Sequence, residues 1–176
     1  MTPRRAVFFD RDGTLMEEVN HCADPALVKV FPGVPAALAQ LKRAQYLTFI
    51  ITNQSGIGRG IITAEQYHAV QSEFLRQIGA DLIDATYYCP DPPDTPSVRR
   101  KPEPGMVLEA ASEFGVDLAR SYLVGDKSID IECGRRAGTS TIQVLTGYGR
   151  QQPCGADWIV EGAVQAVRLI LGQPPP

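Results

Sequence analysis

Short apolar runs alternate with amphipathic stretches of helical length along this chain. Ala6–Phe9, Tyr46–Ile51, Ala85–Cys89, Tyr122–Val124, Thr141–Leu145 and Trp158–Val160 are the β-prone runs. Between most of them lie segments with helical spacing. Pro35–Ala44 carries Leu38 and Leu41, with proline suited to a first turn. Thr63-Ala64-Glu65-Gln66 reads as a capping box opening a helix to about Ile78, where Gly79 stops it. Pro104 opens Gly105–Phe114 and Gly115 closes it; Ser128–Arg136, with Ser128 as N-cap, and Glu161–Leu171 complete the set.

Strands alternating with helices predict an α/β fold, a mainly parallel Rossmann-like sheet covered by helices on both faces. Ligands then bind at the carboxyl ends of the strands. Three polar clusters follow predicted strands directly: Asp10–Thr14, Thr52–Gly56 and Gly125–Asp130. The pattern puts them on one rim. Glu17–Pro32 reads as a loop or small flap over that rim. Pro90–Pro96, with four prolines in seven residues, excludes a helix or a central strand. Residues 173–176 read as a frayed tail of one domain spanning 1–176.

Composition changes this picture little. At 176 residues and net charge −3 the chain is expected to be a monomeric cytoplasmic protein that attracts neither nucleic acid nor membrane. The basic start Met1–Arg5 precedes too short an apolar run for a signal peptide. Cys22, Cys89, Cys133 and Cys154 form no CxxC pair and read as reduced thiols.

The chemistry-bearing residues are more specific. Asp10 and Asp12 end the first apolar run, where packing alone favours no ionised pair. One carboxylate of such a pair serves as nucleophile and the other as proton shuttle; the plainer alternative is an Asp-capped turn. Thr52–Gly60 offers a hydroxyl, two amides and Gly-flanked N–H groups to phosphate oxygens, or is an ordinary surface loop. Arg99-Arg100-Lys101 is braced by Pro102 and Pro104 and suits a phosphoryl group, or is a solvated face. Asp126, after Gly125, is placed to bind a hard cation, with Asp130 one helical turn on. In combination these predict Mg²⁺-assisted phosphoryl transfer.

This order of motifs resembles the haloacid dehalogenase superfamily of phosphohydrolases. The carriers are Asp10-Arg11-Asp12-Gly13-Thr14, Thr52, Lys101, and Gly125-Asp126 with Asp130, over most of the chain. Phe9–Thr14, Pro32-Gly33-Val34, Thr52–Gly60, Tyr87–Pro90, Arg100–Met106 and Val124–Lys127 look most similar to its subfamily of heptose-bisphosphate and histidinol phosphatases. The resemblance implies Asp10 as nucleophile forming an aspartyl phosphate and Asp12 as general acid and base. It implies Mg²⁺ held by Asp10, the Asp12 carbonyl and Asp126, with Thr52 and Lys101 on the phosphoryl oxygens. Asp130 would orient Lys101 or a metal-bound water from behind, and Asn53, Gln54, Ser55, Arg100 and Lys127 would contact the substrate.

The implied substrate is a small phosphorylated sugar, a heptose bisphosphate of cell-surface precursor synthesis, with histidinol phosphate as the alternative. A second phosphate would suit Arg59, Arg100 and Lys127; a cationic substrate would suit Glu17 and Glu18. Members of this subfamily often carry a zinc loop after the third strand. Cys89-Pro90-Asp91 retains only its first cysteine, so no zinc is expected. No insertion is long enough for a large cap domain. A phospho-acceptor signalling domain shares the acidic rim, Thr and Lys, but has no use for Asp12.

Overall fold

A computed structural model describes residues 3–173. Its six strands are β1 (Ala6–Phe9), β2 (Leu47–Asn53), β3 (Ala85–Cys89), β4 (Tyr122–Gly125), β5 (Ser140–Val144) and β6 (Trp158–Val160). All pair in parallel, in the order β3-β2-β1-β4-β5-β6. The order reverses between β1 and β4, so a crevice opens beyond their carboxyl ends.

The helices are α1 (Val34–Arg43), a single turn α2 (Ser55–Gly58), α3 (Ala64–Ile78), α4 (Gly105–Phe114), α5 (Ser128–Ala137) and α6 (Ala163–Ile170). Alternate strand residues feed two cores. Val7, Phe9, Ile50, Val124 and Ile142 pack with residues of α1, α3 and α6. Phe8, Phe49, Ile51 and Leu123 pack instead with Met106, Val107 and Ala110 of α4 and Cys133 of α5. With both faces covered, the central strands β1 and β2 are buried almost throughout and rich in apolar residues on both faces, which is why they read so clearly as strands.

The expected capping box on α3 is present. Gln66 N donates to Thr63 Oγ1 at 3.2 Å and Thr63 N donates to Gln66 Oε1 at 2.8 Å. Three details differ from expectation. β2 runs on to Asn53 because its pairing with β3 continues through Thr52 and Tyr88 to Asn53 and Cys89. The glycine-rich segment after it turns once as α2. Helix α5 is capped by Lys127 rather than Ser128, and the Lys127 N–H donates to Asp130 Oδ2 at 3.0 Å.

The Glu17–Pro32 segment is irregular apart from a 3₁₀ turn at Pro25–Leu27. At the C-terminal end, Gln173 is tied down, its N–H donating to Arg168 O at 2.9 Å and its amide to Gln40 at 3.2 Å. The rest of the expected frayed tail lies outside the described residues. No described helix is long and apolar enough to cross a membrane.

Phe49 joins the second core, fully buried, with ring centroids 5.2 Å from Phe8 and 5.0 Å from Phe114. Phe49→Ala is expected to destabilise the fold by about 3–5 kcal/mol in urea titration, as large buried aromatics do. A loss under about 1 kcal/mol would mean that this core collapses around the gap.

Candidate active site

The carboxyl ends of β1, β2 and β4 bring the three polar clusters together. Asp10 follows β1, Thr52 and Asn53 end β2, and Asp126 follows β4. A cleft of about 260 Å³ opens over them, lined among others by Asp10, Asp12, Thr52, Gln54, Arg100 and Lys101. Asn53, Ser55, Lys127 and Asp130 line it too. Asp126 and Asp130 are both fully buried, and of the residues expected to act Asp126 alone is not among those lining the cleft. Arg59 is not brought in; it lies in a separate groove with Gly58 and Pro92–Asp94.

At the centre is Lys101. Its ammonium donates to Asp10 Oδ1 at 2.8 Å, Asp130 Oδ1 at 2.6 Å and the Ile51 carbonyl at 3.0 Å. All three of its protons are thereby used. Burial opposes its charge, but Asp10 and Asp130 outweigh it and the pKa is raised. Asn53 fixes this lysine from the backbone side: its amide donates to Lys101 O and accepts from Lys101 N, each at 3.0 Å. The Asn53 side chain thus positions Lys101 from behind the ammonium.

Ligand atoms of Asp10, Asp126 and Asp130 lie within 4.8 Å of one another. They are not equivalent. Asp130 has both oxygens engaged, by Lys101 and by the Lys127 N–H. Burial raises its pKa against the pull of Lys101. Asp126 accepts from Tyr148 N through Oδ2 at 2.8 Å, but its buried Oδ1 has no partner. A Cβ on Gly13 would come within 2.5 Å of Asp126 Oδ2, and one on Gly147 within 2.2 Å. Both glycines have positive φ, so any side chain would be strained as well as crowded there.

Burial, then Asp10 and Asp130, push the Asp126 pKa up to about 8. A buried carboxylate oxygen without a donor, facing two further carboxylates, fits a hard cation held through oxygen. The buried carboxylates could therefore hold a metal ion.

Asp12 is turned away from that cluster. Arg11, only 1% exposed, donates to it through Nε at 3.2 Å and Nη2 at 3.1 Å. The guanidinium is itself held by Gln71 Oε1 at 2.9 Å and lies 5.5 Å from the Tyr67 ring centre. Gln54 Nε2 spans Asp12 Oδ2 and Thr52 Oγ1, both at 2.9 Å.

Around the rim, Lys127 pairs with Glu18 at 2.9 Å and lies 4.9 Å from the centre of the Tyr148 ring. Arg100 donates to the Asp91 carbonyl at 2.9 Å. Glu18, Val19, Asn20, His21 and Cys22 line the cleft as well. The sequence places a flap over this rim and offers Glu18 to a substrate, but it does not show which other side chains turn inward, because the flap lacks the periodicity that would place them. Its one backbone signal, His21 at φ +50, emerges only in three dimensions. Cys89, at the expected zinc loop, donates to Asp91 Oδ2 at 3.4 Å, and all four cysteines are free thiols.

Comparison with known proteins gives consistent matches. A family model described as HAD-hydrolase-like matches residues 98–165. The chain is 34% identical to D-glycero-D-manno-heptose-1,7-bisphosphate 7-phosphatase of Chlorobaculum tepidum, over 99% of this chain and 98% of that one. It is 36% identical to the enzyme of the same name from Thermosynechococcus vestitus, over 93% and 86% respectively. Among solved structures it resembles the D,D-heptose 1,7-bisphosphate phosphatase of B. bronchiseptica complexed with magnesium and phosphate. There the TM-score is 0.87 at 29% identity, covering 96% of this chain and 98% of that one. These relatives are enzymes, which sets the phospho-acceptor alternative aside. The chain belongs to the haloacid-dehalogenase-like phosphatases, in the family of the heptose-bisphosphate 7-phosphatases, and is a phosphoric monoester hydrolase.

Proposed function

We propose that this phosphatase removes the 7-phosphate of D-glycero-D-manno-heptose 1,7-bisphosphate, with Mg²⁺ and Asp10 as nucleophile, within the synthesis of cell-surface heptose precursors. The observation that carries the mechanism is the division of the carboxylates: Asp10 shares the cation cluster with Asp126, while Asp12 points to Arg11 and Gln54.

Asp10, the Asp12 backbone carbonyl and Asp126 would hold the Mg²⁺. The ion, when bound, offsets the negative charge of the transferring phosphoryl group. Asp10 attacks phosphorus, the bond from phosphorus to the sugar oxygen breaks, and an aspartyl phosphate forms. Asp12 gives its proton to the departing sugar oxygen, then takes one from the water that cleaves the aspartyl phosphate. Inorganic phosphate leaves and Asp10 is regenerated. As phosphoryl charge develops, Lys101 turns a donor from Asp10 toward it, while Thr52, positioned through Gln54, binds another oxygen.

Two ion pairs bear on the substrate. Of the carboxylates that would favour histidinol phosphate, Glu18 is taken by Lys127 and Glu17 lies 3.7 Å from Lys29 outside the cleft. Lys127 is likewise neutralised by Glu18, whereas Arg100, also on the cleft wall, has no carboxylate partner among the described residues, which supports a second phosphate.

Phosphate release from the heptose 1,7-bisphosphate and from histidinol phosphate, with Mg²⁺ and with EDTA, tests the reading. Mg²⁺-dependent preference for the bisphosphate is expected. Asp10→Asn should abolish turnover, and Asp12→Asn should lower kcat by about 10²–10⁴-fold, the range for general acid–base catalysis. Preference for histidinol phosphate would overturn the substrate; full activity of Asp10→Asn would overturn the nucleophile.

The metal site makes a separate prediction. The folded Asp126 carboxyl, raised to about 8, holds its proton more tightly than an unfolded Asp at about 3.9. Its contribution to stability is therefore full below about pH 4 and lost as pH rises through about 8. Metal-free protein should show a Tm that falls over this window relative to Asp126→Asn. Mg²⁺ should restore the Tm, more strongly at high pH, and should not do so in the variant. Identical pH slopes and identical Mg²⁺ responses in both proteins would sink the assignment.

A further inference from the structure

The opposite rim of the sheet carries a second cleft, of about 660 Å³, that shares no residue with the active site. It lies where the central strands begin. Arg4 and Arg5 lead into β1, Leu47 opens β2, and Arg120 stands just before β4. Lys42, Gln45, Tyr46 and Pro3 complete its wall. Among the described residues no carboxylate lines it, although the chain as a whole carries net charge −3.

Of its four cations only Lys42 has a carboxylate partner among the described residues, Asp84 at 2.6 Å. Arg5 is fixed flat, 4.3 Å from the centre of the Tyr46 ring, donating to Tyr46 Oη at 3.2 Å and Ala44 O at 3.3 Å. Arg4 and Arg120 are exposed, yet both grow from pinned backbone: Arg4 N donates to Gly115 O at 3.1 Å and Arg120 N to Asp117 O at 3.2 Å. Burial pushes the Tyr46 hydroxyl pKa up, against the pull of both Arg5 and Arg120. The two guanidinium groups thus act on one phenol.

Gln45 adds an uncharged donor at some conformational expense. It sits just past the end of α1 with φ +62, a position that favours glycine.

Guanidinium groups held on ordered backbone, without counter-charge in a concave site, suit a phosphoryl dianion. The volume is that of a small-molecule pocket. We propose that this cleft is a second anion site, which binds a small phosphorylated molecule through Arg4, Arg5 and Arg120 with Gln45 and Lys42 beside them. It has no nucleophilic carboxylate, so it holds its ligand without hydrolysing it.

The test is a site-resolved amide titration of the full chain with inorganic phosphate, against chloride at matched ionic strength. Phosphate should move the Arg5, Leu47 and Arg120 signals along a saturable isotherm distinct from that of Thr52, Asn53 and Gln54. The doubly substituted Arg4→Gln, Arg120→Gln chain alters two exposed side chains that make no hydrogen bond or ion pair among the described residues. It should weaken the first isotherm by about tenfold or more, while leaving the second and the rate of phosphate release unchanged. A response that follows ionic strength in chloride as well, or an isotherm that the double substitution does not shift, would overturn the proposal.

Discussion

One buried ammonium makes the rest of this site possible. Three carboxylates converge within 4.8 Å under the sheet rim, and in water-excluding surroundings that crowding is strongly unfavourable without compensation. Lys101 Nζ lies between two of them, at 2.8 Å and 2.6 Å, and takes a backbone carbonyl as its third acceptor. Removing it would leave buried charges unpaired, an effect of about 3–5 kcal/mol in comparable networks. With all groups ionised, three carboxylates and one ammonium leave two uncompensated negative charges. That residue matches a divalent cation, and Asp126 Oδ1, without a donor of its own, is the atom that most lacks one.

The fold supplies this convergence through topology and through small residues. Strand order reverses between β1 and β4, so the chain leaves the sheet in opposite directions there and opens space above both ends. Asp10 and Asp126 face each other across that gap. Glycines then let the backbone close in. Gly13 and Gly147 crowd Asp126, and a Cβ on Gly125 would come within 2.3 Å of Asp130. The carboxylates are held by geometry that leaves no volume for another side chain, which is how a flexible aspartate becomes a fixed one.

Much of this was readable in the chain because the signals were local. The fully buried run Ala6–Phe9 ends abruptly in charge, and Thr63 with Gln66 specifies a helix start within four residues. What escaped depends on distant partners. Thr52 and Asn53 look like loop residues, yet β3 holds both in the sheet. Asn53 lines the cleft as expected of a ligand for substrate, but that it also braces Lys101, 48 positions away, is visible only in the fold. Ser128 reads as a helix cap from the residues beside it, while the cap is Lys127, whose N–H is held by Asp130, itself bonded to Lys101. The flap over the rim was legible as a segment, but without periodicity only the folded chain shows which of its side chains, Glu18 to Cys22, line the cleft.

Arg11 is the clearest case of meaning supplied by context. Between two acidic residues it looks like a neutralising neighbour, and such a side chain is expected in solvent. Instead it is buried under the cleft wall with Gln71 and Tyr67. Its fork meets both oxygens of Asp12, and Gln54 takes a further lone pair on Oδ2. A carboxylate has about four such sites, so the free capacity that remains includes Oδ1. Asp10 and Asp12 are two residues apart, yet one is drawn by Lys101 into the acidic cluster and the other by Arg11 out of it. Two carboxylates that shared one environment would compete for one proton or one cation. Separated in this way, the two carboxylates have the distinct environments that the proposed division into nucleophile and proton carrier requires.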